Sequence, residues 1–202
     1  MPNRSERDSS PQPPTGQPIL DDPDELFDLV NLDDIVIGTV RRGEAHRNPA
    51  LIHRSVQILV FSGDGRVLLQ RRSSAKDLYP GYYCASASGH VASGEDYAAT
   101  AERELAEELG VSASLTYLGK AIVQSEPETE ITALYATRSD GPYHFHPTET
   151  DGGVLVTWDE ARRSLATGAL PMTPALRIAL DQVAEQLPSG QDSLPGFLAK
   201  LG

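Results

Sequence analysis

Apolar positions along the first two thirds of the chain gather in short runs of strand length. Phe27 to Val30 and Ile35 to Val40 flank Asn31-Leu32-Asp33-Asp34, which predicts a hairpin. Arg54 to Phe61 is almost continuously apolar, as a strand covered on both faces requires. Ser62-Gly63-Asp64-Gly65 then turns the chain, so Val67 to Gln70 is expected to pair back. Tyr82 to Ser88 predicts one further strand. Leu115 to Gln124 and Ile131 to Thr137 predict two more around the acidic stretch Glu126 to Glu130, and Val154 to Trp158 the last.

Elsewhere the spacing changes to that of helices. Over Asp96 to Leu109, at about 100° per residue, Ala98, Ala101, Leu105 and Leu109 share one face and predict a buried stripe. Asp159 to Leu165 predicts a short helix stopped at Gly168. Thr173 and Pro174 read as N-cap and first helical residue of another, with Leu176, Leu180, Val183 and Leu187 on one side and Pro188 as its stop. Strands mixed with helices make the fold class α/β. Residues 1–24, rich in Pro, Ser, Asp and Gln, predict a disordered tail; 25–188 form one domain, and 189–202 a loose second tail. There is no internal repeat.

Composition narrows the function. The chain has 202 residues, 39% hydrophobic and 23% charged, which suits one soluble domain with a sizeable core. A net charge of −12 argues against nucleic acid as a partner, because such binders carry a basic face. A single cysteine, Cys84, excludes an internal disulfide framework and suits a reducing compartment. No apolar stretch approaches the roughly 18 residues of a membrane span, and the N-terminus has no apolar leader. A cytoplasmic location without a membrane partner is therefore the expectation. The oligomeric state stays open, a homodimer being one option.

The chemistry concentrates on the predicted 96–109 helix. Glu104, Glu107 and Glu108 fall in one narrow arc, where like charges repel by a few tenths of a kcal/mol per pair, roughly. A solvated acidic face is one explanation; a hard divalent cation among the carboxylates is the other. The second also explains the glycine-bounded loop with its own Glu95 ahead of the helix. Arg71, Arg72 and Lys76 lead into a loop ending at Pro80-Gly81, as ordinary solvated charge or as a clamp for a phosphate group. His144 and His146, two apart, are set aside as a decoy.

From Gly89 to Val111 the chain reads GHVASGEDYAATAERELAEELGV. This resembles the Nudix box, G-x5-E-x7-R-E-U-x-E-E-x-G-U with U aliphatic, and matches every specified position. The resemblance implies an α/β/α sandwich with a mixed sheet and a hydrolase that cleaves a diphosphate bond in a small-molecule substrate. It implies Mg²⁺ or Mn²⁺ as cofactor, with Glu107 and Glu108 as ligands, Glu104 as ligand or general base, and Arg103 orienting the carboxylates. Gly89 and Glu95 would support the loop, and the carbonyl of Ser88 or Gly89 could complete the coordination.

A narrower resemblance, running from His46 to Glu130 with the later Thr173-Pro174, is to the isopentenyl-diphosphate isomerase branch of that superfamily. It implies a second divalent-metal site made by His46, His53, His90, Glu128 and Glu130, and a diphosphate-binding role for Arg71, Arg72 and Lys76. A mixed nitrogen and oxygen set of this kind favours Mn²⁺ or Zn²⁺. The chain departs from those isomerases in three places. Ser88 stands where they carry a cysteine before Gly-His, Ala175 where they carry a tryptophan whose π face supports a cation, and the box is complete where theirs is usually eroded. Cys84 lies four residues from Ser88, roughly 13 Å along a strand, and cannot replace that thiol. These departures favour a hydrolase on an isomerase-like frame over an isomerase. They also favour it over a non-catalytic nucleotide-binding regulator, which would gain nothing from a water-activating carboxylate set.

Overall fold

The computed structural model describes residues 22–76, 78–146, 149–187 and 193–201. The expected tail over 1–21, and the stop at Pro188, lie outside the described residues. In chain order, β1 (Leu26–Val30) and β2 (Val36–Arg41) form the predicted hairpin, followed by a one-turn helix α1 (Arg42–Ala45) that the apolar pattern did not announce. Next come β3 (His53–Phe61), β4 (Val67–Arg72), β5 (Tyr83–Cys84), β6 (Ala87–His90) and α2 (Tyr97–Leu109). The chain then runs through β7 (Thr116–Gln124), β8 (Thr129–Arg138) and β9 (Thr150–Val156) to α3 (Trp158–Thr167), α4 (Pro174–Gln186) and α5 (Ser193–Leu198).

Seven strands make one mixed sheet. Its path is β5-β4-β3-β8-β7, with β6 on β3 and β9 on β4; β3 and β8 run parallel and the other pairs antiparallel. Alternate residues of β3 explain the layers. Val56, Ile58 and Val60 join a core with Ala101, Leu105 and Leu109 of α2. Leu59 and Phe61 face the other way, into a core with Leu176, Leu180 and Val183 of α4. A sheet apolar on both faces has to be covered on both, and the α/β/α sandwich follows. Within α2 the buried stripe is Thr100, Ala101, Leu105, Glu108 and Leu109, while Ala98, expected inside, is exposed near the first turn.

The elements depart from expectation in the middle of the sheet and at both ends of the chain. The single strand expected over Tyr82 to Ser88 is two strands, because β3 and β4 pair only at Phe61–Val67 beside their turn and then diverge. β5 stays with β4 and β6 crosses to β3. The wedge between them is stitched by the Ser86 hydroxyl, which accepts from Val60 N at 2.7 Å and donates to Leu68 O at 2.6 Å. The C-terminus, expected as a loose tail, is instead packed. Leu194, Phe197, Leu198 and Leu201 repeat at helical spacing, and Phe197, Leu198 and Leu201 are buried, Phe197 edge-on to Phe61 with centroids 5.8 Å apart. At the other end, Pro23 and Asp24, also expected in a tail, are tied to α1 and β2: Gly43 N donates to Pro23 O and Arg41 pairs with Asp24.

The hairpin is anchored over the sheet edge by Asp34, which sits at φ 61. Its carboxylate accepts from Arg54 Nε at 2.6 Å, from Tyr97 Oη at 3.1 Å and from Lys120. The arrangement brings Phe27 of β1 to the end of β3 and β6, where the histidines lie.

Candidate active site

The box folds as loop, helix and loop for local reasons. Asp96 caps α2 by accepting from Ala98 N and Ala99 N, both at 2.9 Å, and Gly110 ends it in the left-handed region at φ 66. The following loop returns over the helix end, with His144 N donating to Leu109 O and His146 N to Glu108 O. Arg103 then gathers the carboxylates. Its Nε and Nη2 grip Glu95 at 3.1 Å each, and its Nη1 reaches Glu104 at 2.7 Å and Glu107 at 3.1 Å. The bond to Glu95, before the charge of Glu104, raises the guanidinium pKa further despite burial.

Glu108 is the buried member, 7% exposed. Its Oε2 accepts from Gln70 Nε2 at 3.1 Å and from Ser88 N at 3.3 Å. Burial first, then the charges of Glu104 and Glu149, push its carboxyl up to about 8. Burial likewise lifts Glu104 to about 7, against the pull of Arg103. Gly89 is what lets Glu104 approach the strand. A Cβ there would stand 2.1 Å from Glu104 Oε1. Glu104, Glu107, Glu108 and Glu149 line one cleft of about 710 Å³, together with Arg72, Lys76 and His146.

On the opposite face of the sheet, His53 pairs in register with Glu130, and Ser55 with His90. All five residues of the second expected set converge there. His46 Nε2 lies 3.2 Å from His90 Nε2 and 3.4 Å from Glu128 Oε2, while Glu130 Oε1 lies 3.2 Å from His90 Nε2 and 3.8 Å from His53 Nε2. Donor atoms of His46, His53, His90 and Glu128 all fall within 4.8 Å of one another. The Phe27 ring stacks on His53 and His90 at 5.1 and 4.9 Å, forming a dry floor. Burial first, then His90, holds His46 down to about 3 and His53 to about 4, so both imidazoles are neutral, the form that binds metal. Burial raises Glu128, next to the charge of Glu130. Burial opposes ionisation of Glu130 as well, yet its hydrogen bond to His90 and the neighbouring histidines outweigh that and lower it. His53 Nε2 and Glu128 Oε2 are buried with no hydrogen-bond partner. Buried lone pairs without donors, on converging neutral imidazoles and carboxylates, fit a divalent metal ion.

A smaller cavity of about 280 Å³ opens beside this cluster, reaching the N-terminus of α4 at Thr173, Pro174 and Ala175. Arg42, Arg72, Gly89 and His90 line both the cavity and the acidic cleft, so the two meet around β6. Of the three expected clamp residues, Arg72 lines both spaces and Lys76 the acidic cleft, where it pairs with Glu149 at 2.5 Å. Arg71 is exposed and lines neither. Cys84 is buried, and burial pushes its thiol up to about 12, which leaves it unreactive at neutral pH.

Glu149, His146 and Arg42 were absent from the expected set. Glu149 and His146 sit in a segment without periodicity, where one carboxylate in Glu-Thr-Asp looks like surface charge. Only the return of that segment over α2 brings Glu149 to the cleft. Arg42 follows β2 on the unannounced helix α1.

Comparison with known proteins adds a family. The model of the NUDIX domain matches residues 51–176. An isopentenyl-diphosphate Delta-isomerase of Nocardia farcinica is 42% identical over 151 residues, 72% of this chain and 86% of that protein. A Nudix hydrolase of Pseudomonas aeruginosa is 34% identical over 166 residues, 78% and 94% of the two chains. The crystal structure of DR0079 from Deinococcus radiodurans superposes with a TM-score of 0.67 at 27% identity, covering 78% of this chain and 98% of that one.

Proposed function

The chain belongs to the Nudix family, and from that premise we propose that it is a divalent-metal-dependent hydrolase of a small diphosphate compound. The observation that carries this reading is the acidic cleft, which Glu104, Glu107, Glu108 and Glu149 line together with Arg72 and with Lys76, the latter paired to Glu149. Glu107 and Glu108 would hold Mg²⁺ or Mn²⁺, and the histidine cluster a second, softer ion. When bound, such ions polarise phosphoryl oxygens and make water more acidic.

The chain's own groups do the remaining work. Arg72, reaching both spaces, orients the diphosphate between them by paired hydrogen bonds. Water adds to one phosphorus, the bond to the bridging oxygen breaks, and that oxygen leaves with the other phosphate. Glu104 takes the proton of the water, its affinity raised into the neutral range by burial. Arg103 keeps Glu104 aimed at the cleft. A panel of nucleoside diphosphate derivatives with Mg²⁺ or Mn²⁺, scored by phosphate or nucleotide release, tests the reading; no release from any member would refute it.

The second reading is isomerisation of isopentenyl diphosphate, favoured by the histidine cluster and by the name of the Nocardia relative. Ser88 offers a hydroxyl, which ionises far less readily than a thiol, and Ala175 offers no π face to a carbocation. Wild-type protein is therefore expected to incorporate no deuterium into prenyl diphosphate, and Ser88→Cys is expected not to restore incorporation. Label uptake by wild type without hydrolysis of any nucleotide would reverse the order of the two readings.

The histidine cluster is tested separately by melting. Mn²⁺ or Zn²⁺ at about a hundred times Kd contributes roughly 2.7 kcal/mol. For a chain of this size that should raise the Tm of chelator-treated protein by about 5–10 °C. The same rise in a His53→Ala, Glu128→Gln double variant would show that the ion binds elsewhere.

A further inference from the structure

Lys76 puts a positive charge inside the acidic cleft. Its side chain is only 9% exposed, and its Nζ lies 2.5 Å from Glu149 Oε2. Glu149 in turn acts on the box, since its charge helps to raise the carboxyls of both Glu104 and Glu108. The ammonium therefore offsets part of the mutual repulsion among Glu104, Glu107, Glu108 and Glu149, which line one space with it.

The ion pair is not what holds its two segments together. Ser73 N donates to Glu149 O at 3.1 Å, Thr150 Oγ1 donates to Arg71 O at 2.7 Å, and Arg72 pairs with Thr150 in the β4–β9 ladder. Lys76 N donates to Ser73 O at 3.2 Å, which ties the lysine backbone to the same ladder. Both side chains can therefore change partner while their backbones stay in place. What limits the change is charge: a nearly buried ammonium that loses its carboxylate is strongly destabilising unless another anion replaces it.

We infer that Lys76 and Glu149 exchange partners when the cleft fills, Glu149 turning to a divalent metal and Lys76 to the diphosphate, so that each ligand strengthens the binding of the other. This rests on the hydrolase reading above for the identity of the two ligands. A metal alone has to take Glu149 from Lys76 and leave the ammonium without that anion. A diphosphate alone has to draw Lys76 from Glu149 and then face Glu104, Glu107, Glu108 and Glu149 unneutralised. Bound together, the two ligands satisfy both groups, and a coupling of this kind is reciprocal.

Calorimetry reads the coupling without turnover. The probes are Mg²⁺, a hard ion suited to carboxylates, and methylenediphosphonate, in which carbon replaces the bridging oxygen so that water cannot cleave it. These two also meet directly, so the result is read as the change between variants. Lys76→Met keeps most of the stem and removes the charge; it should bind Mg²⁺ alone about tenfold more tightly than wild type, because the competitor is gone. In a Glu149→Gln background the same substitution should change Mg²⁺ affinity by less than about threefold, which separates competition for Glu149 from general repulsion. Glu149→Gln should bind the diphosphonate about fivefold more tightly without metal, a gain that adding Lys76→Met abolishes. In either single variant, the factor by which Mg²⁺ strengthens diphosphonate binding should fall about tenfold. An equal Mg²⁺ gain from Lys76→Met in both backgrounds, or an unchanged coupling factor in both single variants, would overturn the inference. Should Lys76→Met not fold, the coupling factor of Glu149→Gln decides alone: a fall upholds the exchange and constancy overturns it. The expected changes in a protein that hydrolyses nothing would uphold the exchange while refuting the hydrolase reading, and hydrolysis with unchanged coupling would do the reverse.

Discussion

Glu108→Gln is expected to lower hydrolysis about a hundredfold or more while leaving the fold intact. The glutamine keeps the volume of the side chain and an oxygen that can still accept from Gln70 Nε2 and Ser88 N, the two donors that position it. What is lost is one negative charge beside Glu104 in a site proposed to hold a cation, and electrostatic contributions of this kind are among the largest single terms in catalysis. Near wild-type turnover at saturating Mg²⁺ would refute the ligand assignment.

The same substitution has an opposite effect on the metal-free protein, and pH separates the two. Burial raises the Glu108 carboxyl from 4.5 to about 8. Between those values the folded chain holds a proton that the unfolded chain has released, so stability falls as pH rises through the window. Glutamine has no such proton. Chelator-treated Glu108→Gln should therefore match wild type near pH 4.5 and exceed it, on the order of 4 kcal/mol, by pH 8. Thermal melts across that range check the sign, and a constant difference would show that the carboxyl is not held protonated by burial.

The box was legible because its information is local, and the histidine cluster because the order of its residues along the chain resembles that of a known branch. Three carboxylates on α2 have fixed relative positions once the helix is granted, and Asp96 and Gly110 mark its ends. The cluster needed the register of β3, β6 and β8, and its members were named before they were placed only through the resemblance to the isomerase branch. What failed needed tertiary information. The break between β5 and β6 depends on β3 and β4 diverging, which Tyr82 to Ser88 does not encode. Ala98 lies on the apolar arc of an ideal helix, yet the sheet does not extend to cover it. Arg71 and Arg72 look alike in sequence; strand alternation sends one to solvent and the other to the site. The helical spacing of Leu194, Phe197, Leu198 and Leu201 was legible but short, and proline-containing surroundings disguised it.

Gly89→Ala, one methyl group, is expected to cost activity on the scale of losing Glu104 itself. Gly89 lies in β6 opposite Val56, in extended backbone that alanine adopts readily, so the strand should not object. The added Cβ would, however, stand 2.1, 2.2 and 2.7 Å from Oε1, Cδ and Cγ of Glu104, too close for any small adjustment. Glu104 must leave its rotamer, breaking its 2.7 Å bond to Arg103 and withdrawing the proposed base from the cleft. The loss should be about a hundredfold in kcat, with a Tm close to wild type because the clash involves a side chain that can turn away. A double-mutant comparison isolates the cause. In a Glu104→Ala background the three atoms nearest the methyl are gone, so the double variant should be no slower than Glu104→Ala alone. If Gly89→Ala costs as much in that background as in wild type, the glycine serves the backbone and not Glu104.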